Sequence, residues 1–259
     1  MQQQLDEVVI TRAIIDSFTG KLRAACELDA AICGAGPSGL VAATLLARAG
    51  RKVAVFESKL APGGGMWGGG MMFNDIVVQR AARELLAGFG VRLREQARGY
   101  FVADAVEASA ALVYHAVHSG ALLFNCVSVA DVMVRRGRVG GLVLNWTPVE
   151  RLGMHVDPLI VRARVVADST GHPASICSLL AKKNGVRLRS ATGGVIGERS
   201  LDATRGEAAV VRNTRAVYPG LYVSGMAANA VAGAARMGPV FGGMLLSGQK
   251  LAQLMLRHQ

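Results

Sequence analysis

Apolar residues recur at helical spacing through ITRAIIDSFTGKL (10–22), which predicts an amphipathic helix inside residues 1–27. The run LDAAIC (28–33) is continuously apolar apart from Asp29 and reads as a short buried strand. A turn at Gly34–Gly39, a small-residue helix over 37–49 and a second strand over 51–56 (RKVAVF), ending at Glu57, complete a βαβ unit. Such a unit implies two parallel strands joined by a right-handed crossover. A glycine-rich loop follows at 61–72. Helical patterns are read over 75–90 (DIVVQRAARELLAGFG) and 104–120 (DAVEASAALVYHAVHSG). Strand 121–125 leads into a β-meander over 127–146, with its turn at Arg135–Arg138. After a loop at 146–158, strand 161–168 (VRARVVAD) leads to Thr170-Gly171-His172 and a helix through Cys177. Residues 186–216 are polar and weakly patterned. The chain closes with a strand over 220–225 and a helix over 237–258. The expected fold is α/β, a flavoprotein-like (GR2-type) Rossmann fold with a central parallel sheet and a β-meander. Residues 1–259 read as one dinucleotide-binding domain with an N-terminal helical extension.

Composition adds three constraints. Apolar residues are 51% of 259, which excludes a disordered chain. Glycine is 32 of 259, well above the usual ~7%. Tight turns or close approach of backbone to a ligand would use that surplus. The net charge of +11 admits an anionic ligand, a nucleic acid or a membrane surface. The arginines are scattered, with no basic run or aromatic platform, so nucleic acid is not expected as a partner. Cys26, Cys33, Cys126 and Cys177 form no CxxC pair, which points to reduced thiols, with Cys33 in the core and Cys177 either buried or, on the helix after His172, a reactive thiol. The start, MQQQLDEVVITRAI, has no apolar segment behind a basic head, so no signal peptide is expected. Residues 30–47 and 216–235 are uncharged enough for a membrane span, but both contain Pro and Gly and read as buried α/β segments. A cytoplasmic protein without membrane contact is the expectation.

Gly34-Ala35-Gly36-Pro37-Ser38-Gly39 matches GxGxxG between a strand and a helix, and Glu57 follows at the end of the next strand. In such a loop Gly34 permits the turn. Gly36 lets a pyrophosphate approach the backbone, and Gly39 lets helix and strand touch. The helix N-terminus offers N–H groups to the anion, and Glu57 can accept from an adenosine ribose. The pattern does not choose between FAD and NAD.

Other segments carry candidate chemistry. Six glycines between Gly63 and Gly70 surround Met66 and Trp67, which argues for a ligand-ordered loop over a solvated one. His155 and Asp157 form an H-x-D pair able to serve as base or metal ligands, or simply to stabilise a turn. His172 stands just past a strand end, where α/β sheets bind ligands, and with Asp157 it gives an N/O pair suited to iron, zinc or manganese. Arg236 reads as lying beside a helix start that contains Pro239, where an anionic ligand would relieve the dipole conflict. His115 and His118 read as ordinary helix-face residues.

Taken together, GAGPSGL, Glu57-Ser58, PGGGMWGGGMMF, NWTPVE, HVDP, TGH, NTRAVYPGLYVSGMAANAV and RMGPVFGGMLLSGQK resemble the thiamine thiazole synthase family over about residues 5–257. The resemblance implies a pentosyltransferase-type enzyme that consumes NAD as a substrate. With glycine and sulfide, NAD would become an adenylated 4-methylthiazole-2-carboxylate, with release of nicotinamide. It implies a homo-oligomer, typically an octamer, and an Fe(II) cofactor. Eukaryotic-type members carry a sacrificial Cys where this chain has His155. The match is therefore to the archaeal and bacterial type, which takes sulfide from solution over many turnovers. Motif by motif, Ser38, Gly34, Gly36, Gly39, Glu57, Ser58, Gly65, Val129, His155, Val156, Asp157 and Met226 would contact the NAD-derived moiety. Asp157 and His172 would hold iron, from adjoining subunits or one. Arg236 would bind the glycine carboxylate, and His155 or Asp157 would assist proton transfers. Two departures stand out: Pro173 follows His172 where many relatives are acidic, and the stretch around Thr204–Gly206 is less acidic than usual. Two other enzyme readings fit the fingerprint, a flavin-dependent oxidoreductase and a ribose-1,5-bisphosphate isomerase-type activity.

Overall fold

The structure is a computed structural model that describes residues 4–257. In chain order its elements are α1 (Glu7–Ala24), β1 (Glu27–Cys33), α2 (Pro37–Arg48), β2 (Val53–Glu57), β3 (Asp75–Gln79), α3 (Arg80–Ala87), β4 (Arg94–Ala97), β5 (Tyr100–Asp104) and α4 (Ala105–His118). Then come β6 (Leu122–Asn125), β7 (Val127–Arg135), β8 (Arg138–Trp146), α5 (Thr147–Leu152), β9 (Leu159–Asp168) and α6 (Ser175–Asn184). The chain ends through β10 (Arg199–Leu201), α7 (Ala203–Asn213), β11 (Arg215–Tyr218), β12 (Leu221–Val223), α8 (Met226–Ala232), β13 (Ala235–Arg236) and α9 (Gly242–Leu256).

Among the described residues, eight strands make the main sheet, with the path β11-β12-β9-β1-β2-β6. Strands β6, β2, β1, β9 and β12 run parallel to one another, and β11 pairs antiparallel with β12 at the edge. The meander β7–β8 joins this sheet through antiparallel pairing of β8 with β9. This is the expected α/β architecture, and the late strand β12 returns to the sheet beside β9. Alternation along the strands gives each face its own core. Ile32, Val53, Val55 and Val165 face α2, α4 and α9, whereas Cys33, Ala54, Phe56 and Val166 face the meander side. The apolar stretches 30–47 and 216–235 are thus interior strand and helix. Among the described residues no helix is long and apolar enough to cross a membrane.

The leading helix forms where its pattern places it, capped by Asp6, whose side chain accepts from the Val8 and Val9 amides. Its aliphatic residues Val8, Val9, Ile14 and Ile15 are exposed. At its far end Phe18 meets Trp146, with ring centroids 5.9 Å apart.

Three expectations need correction. The segment 75–90 does not begin as a helix: Asp75–Gln79 is a strand of a three-stranded antiparallel sheet, β3-β5-β4. Its β-branched Ile76, Val77 and Val78 favour extended backbone, and Ile76 and Val78 alternate into the core. The helix follows only from Arg80. The last helix starts at Gly242, not Met237, so Pro239 lies in the loop before it. Gly238 at φ +74° breaks any earlier helical start. Arg236 accordingly sits on the short strand β13, not beside a helix start. Finally, the weakly patterned stretch 186–216 contains β10, α7 and the start of β11. Asp202 caps α7 by accepting from the Arg205 amide.

Candidate active site

The carboxyl ends of β1, β2, β9 and β12 open into a cavity of about 870 Å³. The fingerprint loop forms one wall. Gly34 adopts φ +98°, and a Cβ there would lie 2.5 Å from the Ser169 carbonyl oxygen. A Cβ on Gly39 would lie 2.2 Å from the Gly34 carbonyl oxygen. Gly36, by contrast, has no atom within 4 Å of such a Cβ, because it faces the cavity. The loop therefore splits as expected. Gly34 and Gly39 are needed for close packing, and Gly36 leaves room for a ligand beside the first turn of α2.

Glu57 closes the end of β2 and is almost fully buried. Its Oε2 accepts from the Ala35 amide at 2.8 Å, and its Oε1 accepts from the Lys59 amide at 2.9 Å. The carboxylate thereby ties the fingerprint loop to the second strand end before any ligand arrives. Glu57→Gln replaces one acceptor by an NH₂ facing an N–H donor. It is expected to lower stability by about 1–3 kcal/mol, read by urea denaturation of the ligand-free protein.

The glycine-rich segment is ordered by its own side chains. Gly64–Gly68 forms a 3₁₀ turn, Met66 is buried, and the Trp67 indole N–H donates to the Pro62 carbonyl at 2.6 Å. This agrees with a loop that is not merely solvated.

The third wall comes from the turn after β9. Asp168, fully buried, accepts from Thr170 N–H (3.0 Å), Thr170 O–H (2.7 Å), Ile176 N–H (3.0 Å) and Cys177 N–H (2.9 Å). Four donors on one carboxylate fix the turn that carries His172. The His172 ring is half exposed, and its Nδ1 lies 2.5 Å from Glu198 Oε2. Cys33 is buried as expected, and so is Cys177. Burial first, and the neighbouring Asp168 second, push both thiols well above their ordinary range. They are held as neutral thiols at physiological pH.

The cavity gathers most of the residues that sequence singled out. Gly34, Gly36, Ser38, Glu57, Ser58, Gly65, Val129, His172, Met226 and Arg236 all line it. Arg236 is exposed and takes part in none of the ion pairs among the described residues. Gly39 lies behind the wall, where its packing role puts it. His155, Val156 and Asp157 do not line the cavity of their own chain: they are exposed, in the loop between α5 and β9. No cluster of three or more potential metal-ligating side chains occurs among the described residues. Sequence reasoning missed Lys59 and Glu198. Lys59 follows Glu57-Ser58 and lines the cavity, so adjacency was the available signal. Glu198 had none, since it reaches His172 across 26 residues of chain.

The chain is similar to known proteins over nearly its whole length. Residues 11–241 match the model of the Thi4 family. The chain is 55% identical to the thiamine thiazole synthase of Desulfosudis oleivorans, over 98% of this chain and 99% of that protein. It is 54% identical to the thiamine thiazole synthase of Methanothermobacter thermautotrophicus, over 98% of each. The crystal structure of Thermovibrio ammonificans THI4 superimposes with a TM-score of 0.97 at 52% identity, covering 98% of both chains.

Proposed function

The chain belongs to the Thi4 family and has thiamine thiazole synthase function, and we propose that its cavity performs this synthesis from NAD, glycine and sulfide. The observation that carries the reading is one cavity holding the fingerprint loop, Glu57, His172 and Arg236 together. The fingerprint loop suits the pyrophosphate of NAD and Glu57 its adenosine ribose. Arg236, with no carboxylate partner among the described residues, suits the carboxylate of glycine through a two-pronged contact.

In this reading NAD is consumed. Water displaces nicotinamide at the ribose anomeric carbon, the pentosyltransferase-type step, and leaves a hemiacetal hydroxyl there. Ring opening exposes a carbonyl, and the glycine amine condenses with it. Proton shifts, sulfide addition and cyclisation with loss of water give the aromatic thiazole. The protein's part is to hold both substrates and move protons. His155 or Asp157, reaching the cavity from a second copy of the chain, would assist those transfers.

The residues present fit an Fe(II) ion, though not within one chain. The His172 ring has Nδ1 committed to Glu198, which leaves Nε2 as its metal-binding nitrogen. An imidazole with a carboxylate suits ferrous iron, and a two-ligand set leaves positions open for sulfide and substrate. Asp157 would be the carboxylate. Its exposure, away from its own cavity, supports a second copy of the chain as its source. The apolar surface on α1, with exposed Leu152, Met154 and Val156 next to Asp157, supports assembly into a homo-oligomer, for which an octamer is the expectation.

Sulfur would come from solution. His155 stands where a sacrificial Cys would have to be, and Cys33 and Cys177 are buried neutral thiols. The test is an anaerobic reaction with NAD, glycine, sulfide and Fe(II), followed by mass spectrometry of product and protein. The expected outcome is an adenylated thiazole carboxylate formed over many turnovers by a protein of unchanged mass. Sulfur lost from any cysteine, or stoichiometric FAD released on denaturation, would overturn the reading.

A further inference from the structure

We propose that Glu198 is a positioning residue for His172, fixing the ring and its tautomer so that Nε2 is presented as a ligand nitrogen. The inference rests on the metal reading of His172 given above.

Glu198 stands one residue before β10, in a stretch whose composition is that of a loop. Its backbone is nevertheless clamped on both sides. Gly197 N–H donates to the Ala230 carbonyl and Arg199 N–H to the Ala234 carbonyl, each at 2.9 Å. Strand β10 then pairs in parallel with β13, the strand that bears Arg236. One short two-stranded sheet thus fixes the base of Glu198 and the residue assigned to glycine.

The side chain is aimed with equal economy. It is only 13% exposed, its Oε2 meets His172 Nδ1, and its Oε1 is buried with no hydrogen-bond partner among the described residues. A carboxylate that merely held a surface turn would keep both oxygens in water, where they are solvated at no cost. Covering Glu198 while leaving one oxygen unpaired is unfavourable, and what it secures is the acceptor at Nδ1. A carboxylate there requires the proton on Nδ1. In the neutral ring the lone pair is then on Nε2. A carboxylate behind the imidazole is the arrangement that orients metal-binding histidines, and its loss typically weakens metal affinity by about 10–100-fold.

The experiment measures Co(II) binding to the full chain under anaerobic conditions, by chelator competition and by the visible absorption of bound Co(II). Thermal midpoints of the metal-free proteins are recorded alongside. Glu198→Ala is expected to weaken Co(II) binding by about 10–100-fold and to alter the absorption band. Glu198→Gln keeps the shape and one oxygen acceptor for Nδ1–H, and its affinity should fall between wild type and Glu198→Ala. In a His172→Ala background, Glu198→Ala should cause no further loss, because it acts only through that ring. Wild-type Co(II) affinity in Glu198→Ala would overturn the proposal. So would a loss that persists undiminished without His172, or a fall in thermal midpoint with no change in affinity. If His172→Ala itself binds Co(II) as wild type does, the metal reading fails and this inference fails with it.

Discussion

Asp157→Ala and His172→Ala are each expected to abolish Fe(II)-dependent thiazole formation, and co-expression of the two variants is expected to restore part of it. The single losses follow from the proposed iron site: each variant removes one of the two protein donors assigned to it, and an ion held by one side chain is not retained against solvent. The restoration follows from geometry. His172 lines the cavity of its own chain, whereas Asp157 is exposed on a loop that does not. If each site takes its histidine from one copy and its aspartate from another, random mixing leaves about a quarter of sites with both intact. If both came from the same copy, every site in the mixture would lack one, and activity would stay at zero. Anaerobic assay of the co-purified mixture reads the difference directly. No recovery in a mixture shown by mass to contain both variants in one assembly would sink the two-copy site.

Gly39→Ala is expected to cost about 3 kcal/mol or more of stability, whereas Gly36→Ala should leave stability nearly unchanged. The added methyl on Gly39 meets the Gly34 carbonyl oxygen at 2.2 Å and Ile32 Cγ2 at 3.2 Å. A backbone oxygen cannot swing aside as a side chain can, and Gly34 is itself pinned at φ +98° against Ser169. Relief therefore requires α2 to lift from β1, which opens the core around Ile32 and Leu40. At Gly36 the methyl enters open space, and its backbone is extended with φ −75°. That space is where the pyrophosphate is expected, so the loss should appear as weakened NAD binding. Urea denaturation and NAD titration of the two variants separate the effects. A stable Gly39→Ala protein, or undiminished NAD binding by Gly36→Ala, would refute the division of roles.

The parts of the fold that sequence made legible are those whose signal is local. The βαβ unit announces itself through the apolar runs ending at Cys33 and Glu57 and through glycines at fixed offsets. The meander turn is equally plain: Arg136 and Gly137 take positive φ where the pattern breaks. Strand β3 was obscured because no Gly or Pro separates Gln79 from Arg80, so a five-residue period-2 segment merges into the helix after it. Helix α7 was hidden by its polarity, since only a narrow stripe including Ala209 and Val210 is buried. The site was legible wherever a residue type was bound to a strand end, as with Glu57 and His172. It was not legible for Glu198, whose role depends on a fold that brings together positions far apart in the chain. Nor could spacing reveal that His155–Asp157 would be exposed and outside the lining of their own cavity, because that is a property of packing.

Connections of loop-like composition usually absorb insertions and deletions as sequences drift. The stretch before β10 is closed at both ends, by the Gly197 and Arg199 amides and by the register of β10 on β13. One residue inserted between Gly197 and Leu201 would slip that register, turn Glu198 away from His172 and change the backbone partner of Arg236. In evolutionary terms the segment has the composition of a variable loop and the tolerance of a core strand. Length change within this connection would fall in the residues upstream of Gly197.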